Sequence, residues 1–218
     1  MISISEVLRD IIQKSPFLEE GISEGIVNLS ALARKVRPRI EKSLMKDVSD
    51  SAILMALKRM VPEVKSKADL TQAEIQQLGD ITVRSDLSEF TFLKSGTILE
   101  KQKSLLHEVK SISDYFITFT QGVYEITIII SSNHENTVEK IFSREKELYR
   151  KSNLSAMTIR LSAQSVNTPG VHYSILKQLA WNNINIIEVV STYTEFTIIL
   201  HKSQIDISFS VLMKYLET

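Results

Sequence analysis

Asn167-Thr168-Pro169-Gly170-Val171 is the stretch that decides how this chain is read. It stands between a strand-like run, Ala156 to Ser162, and an amphipathic helical stretch, Val171 to Trp181, so that proline and glycine make a tight corner between them. Downstream, Ile184-Asn185-Ile186-Ile187-Glu188-Val189-Val190 has the composition of a strand and Ser191-Thr192-Tyr193-Thr194 that of a turn. Glu195-Phe196-Thr197-Ile198-Ile199-Leu200 then returns as a second strand. A closing helix is predicted from about Asp206, with Ile207, Val211, Leu212 and Tyr215 as its apolar stripe.

The same order occurs once before. Ile81-Thr82-Val83-Arg84 and Phe90-Thr91-Phe92 alternate as a strand does, either as one long bent strand or as two pieces around Asp86. Gly96 opens a helix with the stripe Ile98, Leu99, Leu105, Leu106 and Val109. Strands at about Tyr115 to Phe119 and Tyr124 to Ser131 flank Gln121-Gly122, where the glycine would take the positive φ of a tight hairpin, and a helix begins near Glu135 or Asn136. Gly96 aligns with Gly170, Tyr124 with Glu195 and Glu135 with Asp206, which makes the segment an internal duplication. Two such copies imply an α+β fold, with antiparallel sheets carrying helices on one face. The stripe of the last helix runs up to Thr218, so the second copy lacks a final strand of its own. Ala156 to Ser162 then serves as the last strand of the first copy, the first strand of the second, or both.

Strand, glycine corner, helix, hairpin, helix resembles the ACT domain, the small amino-acid-sensing module of biosynthetic regulation. The Pro-Gly-Val corner, the Ile184-Asn185-Ile186 strand and the Ser/Thr-rich hairpin resemble in particular the tandem ACT regulatory region of aspartokinases. The resemblance implies two ferredoxin-like units (βαββαβ, ACT-type), over 79–154 and 155–218; the residues ahead of them read by their own pattern as a small all-helical domain over 1–67, for which a helix-turn-helix-like unit is one reading. It also implies interleaving of the two copies. The function it implies is that of a regulatory protein, not an enzyme, binding a small ligand, an amino acid, at the second unit or at a dimer interface. Backbone amides at Gly170 would take the ligand carboxylate, Asn167, Thr168 and Asn185 would orient the rest, and Pro169, Val171 and Ile186 complete the candidate site. A plainer alternative is that Pro169-Gly170 only makes the turn and that Asn185 only faces solvent. In the first copy the corner reads Leu93-Lys94-Ser95-Gly96-Thr97 and the matching strand, Phe116-Ile117-Thr118, has no asparagine, so that copy is expected to be structural. Homodimerisation through the sheets is implied as well. The alternation of Phe196, Ile198 and Leu200 fits either a sheet continued across a subunit boundary or burial under helices.

The N-terminal third reads as short helices. Ser3 and Glu6 have capping-box spacing before the stripe Val7, Leu8, Ile11 and Ile12, and Pro16 is expected to stop that helix. Phe17, Leu18 and Ile22 suggest a second helix, ending near Gly25. A third is predicted from Ser30 as cap to Pro38, and a fourth from Ser49 or Asp50 to Pro62, with Ala52, Ile53, Ala56, Leu57 and Met60 on one face. Val64 to Leu78 is polar, and Gly79 marks the change from helical to alternating period. From Asn28 to Lys67 there are ten Lys/Arg against four acidic residues. That excess raises a second function, a ligand-responsive DNA-binding regulator holding phosphates through Arg34, Lys35, Arg37 and Arg39. The stretch Asp50 to Met60 offers few donors for base edges, which favours a packing helix with a solvated basic face. A third reading is a stand-alone regulatory or assembly partner of a separate enzyme.

Composition narrows the classes further. With 218 residues, 43% of them hydrophobic, the chain can bury a core, and 26 basic residues against 26 acidic leave no long-range field to recruit nucleic acid or an anionic membrane. There is no cysteine, hence no disulfide or thiolate chemistry. The sequence has no leader-like N-terminus and no apolar run long enough to span a bilayer, so a cytoplasmic location is expected. The six glycines form no phosphate loop, so nothing here corresponds to a kinase domain. His107, His134, His172 and His201 are scattered without ligand spacing, and neither a catalytic group, a metal site nor a cofactor is expected.

Overall fold

The computed structural model describes residues 2–110 and 115–217; Met1 and Thr218, at the ends of the expected domains, lie outside them. Its contacts divide the chain into Met1–Glu74 and Ile75–Thr218.

The first unit is helical, with α1 (Ile4–Gln13), α2 (Pro16–Ser23), α3 (Leu29–Leu44) and most of α4 (Asp50–Gln76). The Ser3 and Glu6 capping box is formed in both directions, which satisfies two orphan amides of α1. Pro16 does not merely stop α1; it occupies the first turn of α2, where its missing N–H costs nothing. Asn28, not Ser30, caps α3, accepting from the Ala31 amide at 3.0 Å. The expected stops at Pro38 and Pro62 are not made, because both prolines sit inside continuous helices. Both are exposed, while Val36 and Ile40 on one helix and Met60 and Val64 on the other are buried in a single core with Leu8, Ile12, Ile53 and Leu57. Burial of about 1.5–3 kcal/mol per large apolar side chain outweighs the one backbone bond that each proline removes. The polar stretch after Pro62 therefore continues α4 rather than forming a linker.

The second unit holds β1 (Ile81–Leu93), α5 (Ile98–Val109), β2 (Ile117–Gln121), β3 (Glu125–Ser131), α6 (Glu135–Phe142), β4 (Glu147–Arg160), the short α7 (Ala163–Asn167), α8 (Val171–Trp181), β5 (Ile186–Ser191), β6 (Glu195–His201) and α9 (Ile205–Glu217). The duplication is real at the level of elements: each copy runs strand, helix, hairpin, helix, and a 3-10 turn precedes α6 and α9 alike. The strands form one antiparallel sheet in the order β2-β3-β1-β4-β6-β5. The two longest strands, β1 and β4, belong to both copies. Asp86 (φ 58°) and Asn153 (φ 59°) bend them where they pass from one half to the other. Leu87 to Leu93 pairs with β3, Glu147 to Leu154 lies beside it as the last strand of the first copy, and the C-terminal part of β4 begins the second copy beside β6. Ile81 to Arg84, far upstream, pairs with Ala156 to Ile159 and so adds a strand to the sheet of the second copy. The expected run Ala156 to Ser162 is thus the end of a longer strand, and Ser162 is instead the cap of α7.

Among the described residues of this unit, α5, α6, α8 and α9 cover one face of the sheet. Phe90, Phe92, Ile126, Ile128 and Ile130 pack beneath α5 and α6, and Met157, Ile159, Phe196, Ile198 and Leu200 pack beneath α8 and α9. On the opposite face Leu87, Ile129, Leu154, Ala156 and Ile199 form a core made of strands alone, joined by Phe116, Ile187 and Val190. The sheet curls around this inner core, so that Thr120 of β2 and Glu188 of β5, on its two edge strands, line one groove. β6 is an interior strand, so burial accounts for the alternation of Phe196, Ile198 and Leu200. Among the described residues no helix is long and apolar enough to cross a membrane.

Candidate functional site

The corner of the second copy is more elaborate than a single turn. A short helix, α7, intervenes between β4 and the glycine, and its Ser162 cap accepts from the Ser165 amide at 2.9 Å. Asn167 and Thr168 are turned back onto it: Asn167 Nδ2 donates to the Ala163 carbonyl at 3.1 Å, and Thr168 Oγ1 to the Gln164 carbonyl at 3.1 Å. Pro169 and Gly170 are exposed, and Gly170 adopts φ 98°, a left-handed conformation that favours glycine. Val171 is fully buried and anchors the first turn of α8. No side chain caps this helix. Asn185 is exposed one residue before β5, and Ile186 packs partly against the core beneath α8 and α9. His172, next to Val171, meets the Phe196 ring edge-on at 4.6 Å, a packing role.

The corner of the first copy is built differently. Gly96 has no positive φ, and open space surrounds the position of a Cβ. Here the loop is closed by a carboxylate from after α6. Ser95 Oγ donates to Glu145 Oε2 at 2.7 Å and Thr97 Oγ1 to Glu145 Oε1 at 2.6 Å. These two hydroxyls hold the Glu145 carboxyl below its ordinary range by stabilising the charged form. At the entrance to its first helix, then, one copy carries an internal carboxylate and the other carries none from a side chain.

Gly122 also departs from expectation. It closes the β2–β3 turn by donating its amide to the Glu125 carbonyl at 2.9 Å, without a positive φ.

A second concentration of polar groups lies on the inner, helix-free face and was not singled out from sequence. Thr120, Thr127, Thr91 and Tyr149 are register neighbours across β2, β3, β1 and β4. With Glu89, Glu125, Leu148, Gly122 and Glu188 they line a groove of about 440 Å³. Glu89 is only 6% exposed, and its Oε2 has no hydrogen-bond partner. Burial, then the neighbouring Glu188 charge, push its carboxyl above the ordinary value, partly offset by Lys151. Glu188 is also raised by burial, partly offset by Thr120. A lone Glu in a strand gives no sequence signal for such a site, because the opposing carboxylate comes from a strand about a hundred residues away.

The basic residues of α3 are partly committed within the first unit. Arg37 pairs with Glu41 at 2.8 Å and with Asp50 at 3.5 Å, and Arg39 approaches Asp10 at 3.4 Å. Arg34 and Lys35 are exposed. On α4, Ile53, Ala56, Leu57 and Met60 are buried, which removes that face from any groove contact. Among the described residues no group of three or more His, Asp or Glu is placed to hold a metal ion.

No protein-family model matches the sequence, and no curated protein sequence matches it. Solved structures do match in fold. The regulatory subunit of aspartate kinase from Thermus thermophilus, ligand-free, aligns with a TM-score of 0.52 and 10% identity, over 63% of this chain and 97% of that one. The aspartokinase alpha and beta subunit structure aligns at 0.52 and 13% identity, over 65% of this chain and 99% of that one. Aspartate kinase from Synechocystis aligns at 0.54 and 14% identity, over 65% of this chain but only 27% of that one. The chain thus carries the ACT-like fold of aspartate kinase regulatory regions, and the match is to the regulatory part and not to the kinase.

Proposed function

We propose that this protein is a non-catalytic regulatory protein whose second ACT-like copy binds an amino acid at the Gly170 corner, and that it works as a homodimer. The observation that carries this reading is the difference between the two corners. In the first copy Ser95 and Thr97 hold the carboxylate of Glu145 at the loop before α5. In the second, the loop before α8 has an exposed glycine at φ 98° and no capping side chain, so a ligand carboxylate would take the place that Glu145 takes in its repeat. Asn167 and Thr168 would leave the Ala163 and Gln164 carbonyls to bind it, and Asn185, Pro169, Val171 and Ile186 would complete the site. The fold shared with aspartate kinase regulatory subunits supports the assignment to regulation.

The test is a thermal-shift screen against the twenty amino acids, since a ligand that binds only the folded state raises the melting temperature by mass action. One or a few amino acids should give a saturable shift, weakened by Asn167→Ala, Thr168→Ala or Asn185→Ala. Affinity unchanged in all three variants would rule this corner out.

A further inference from the structure

The groove on the inner face of the curled sheet has the composition of a cation site. We infer that it binds a primary alkylammonium group, held between Glu89 and Glu188 with the threonine row beneath it, independently of the Gly170 corner. Glu89 stands on β1 and Glu188 on β5, and the curl of the sheet brings both to one groove. Glu89 is more than nine-tenths buried, yet its Oε2 accepts no hydrogen bond. A buried carboxylate oxygen without a donor is costly, and here a second carboxylate adds repulsion. Lys151, the register partner of Glu89 on β4, attracts it without supplying a donor to that oxygen. A fold that retains this arrangement has the acceptors of a binding site and lacks the donor.

The remaining lining selects the class of donor. Thr91 and Thr127 hydroxyls are 3.0 Å apart, so that one donates to the other, and Thr120 lines the groove with the carboxylates of Glu89, Glu125 and Glu188. Oxygen lone pairs therefore dominate, and an ammonium offers three N–H donors and no acceptor. The described residues form no metal-holding cluster, which argues against a divalent ion as the occupant. Leu148 and Tyr149, both near half exposed, provide an apolar wall for an alkyl chain and a ring face for the charge. The volume of about 440 Å³ suits a small molecule. Charged groups facing the site are Glu89, Glu188 and Glu125 among its lining and Lys151 beside Glu89; α5, α6, α8 and α9 lie on the other side of the sheet.

The experiment is a titration of the full-length, 15N-labelled chain with n-butylammonium chloride, followed through the backbone amides of Thr91, Thr120 and Thr127, with n-butanol and sodium chloride as controls. Saturable shifts at these amides are expected with the ammonium ion and not with the controls. Glu89→Gln and Glu188→Gln keep the side-chain shape and should each weaken binding roughly tenfold or more, as loss of a charge-assisted bond requires. Asn167→Ala should leave it unchanged, which separates this site from the corner. On the unsubstituted chain, binding should weaken as pH falls and the two carboxyls take up protons. Absence of a saturable shift, an equal response to n-butanol, undiminished binding by folded Glu89→Gln, or binding independent of pH would each overturn the proposal.

Discussion

The two ACT-like copies share an element order and differ at the entrance to their first helix. In the first copy Glu145 comes back from the end of α6 to Ser95 and Thr97, so the loop satisfies itself. In the second, Asn167 and Thr168 are engaged with α7, and Gly170 stands at the helix start in a left-handed conformation with no capping side chain. The corners therefore differ in the inserted α7, in the backbone of the glycine and in the carboxylate held by side-chain hydroxyls. The lesson is that a repeat supplies its own control: what fills a position in one half suggests the chemistry that would fill it in the other.

The largest effect expected from breaking this comparison is at the glycines. Gly170→Val should destabilise by about 1–3 kcal/mol, because a β-branched residue is strained at φ 98°. Gly96→Ala, where no positive φ is required and a Cβ meets nothing within 4 Å, should be neutral within about 0.5 kcal/mol. Chemical denaturation of both variants checks the pair, and equal losses would remove the distinction between the corners.

A smaller effect is expected at Glu145. Glu145→Ala removes two hydroxyl donors' acceptor and should cost about 1 kcal/mol near neutral pH. Its carboxyl is held below the ordinary value of 4.5, so the native state binds fewer protons than the unfolded chain as acid is added. The stabilisation is present above that value and is lost as pH falls through the lower folded one. Melting curves of parent and variant should therefore converge in acid.

On the inner face the sign reverses. Glu89 and Glu188 are both raised, so the folded state holds protons longer than the unfolded chain and stability falls as pH rises through the folded values. Glu89→Gln should raise the melting temperature slightly at about pH 7, and the gain should vanish towards about pH 4, where the parent carboxyl is already neutral. A melting temperature that drops at neutral pH would show that the Glu89 charge is satisfied by Lys151.

The smallest effect concerns the helical unit. Replacing Arg34, Lys35, Arg37 and Arg39 together by glutamine should leave DNA selection unchanged, since the parent is expected to recover no reproducible motif. Arg37 and Arg39 are spent on Glu41, Asp50 and Asp10. A motif lost in the variant would make the helical unit a DNA reader.

Much of the second unit was legible because its signals are local. The Gly170 corner, the α8 bounds Val171–Trp181 and the β6 hairpin arise from backbone constraints and short-range periodicity, which act over a few residues. The prolines misled for the complementary reason. Pro38 and Pro62 are local stop signals, and the helices run through them because Val36, Ile40, Met60 and Val64 find one core on both sides. Short α7 has only five residues, too few for a period to declare itself.

Of the candidate site, the corner residues could be named in advance, but their present partners could not. Asn167 and Thr168 bond to a helix that the strand reading left out. The amino-acid sequence by itself determined the repeat, the apolar faces and the Pro169-Gly170 corner before α8, since those follow from side-chain shape and spacing along one segment; which glycines take positive φ it did not, as Gly122 shows. Only the tertiary structure decided that Ile81 to Arg84 joins the sheet of the second copy, that β1 and β4 serve both copies, and that Glu89 and Glu188 face one groove. Those are pairings between distant segments, chosen by which arrangement buries both faces of the sheet at once, and no local pattern encodes the partner.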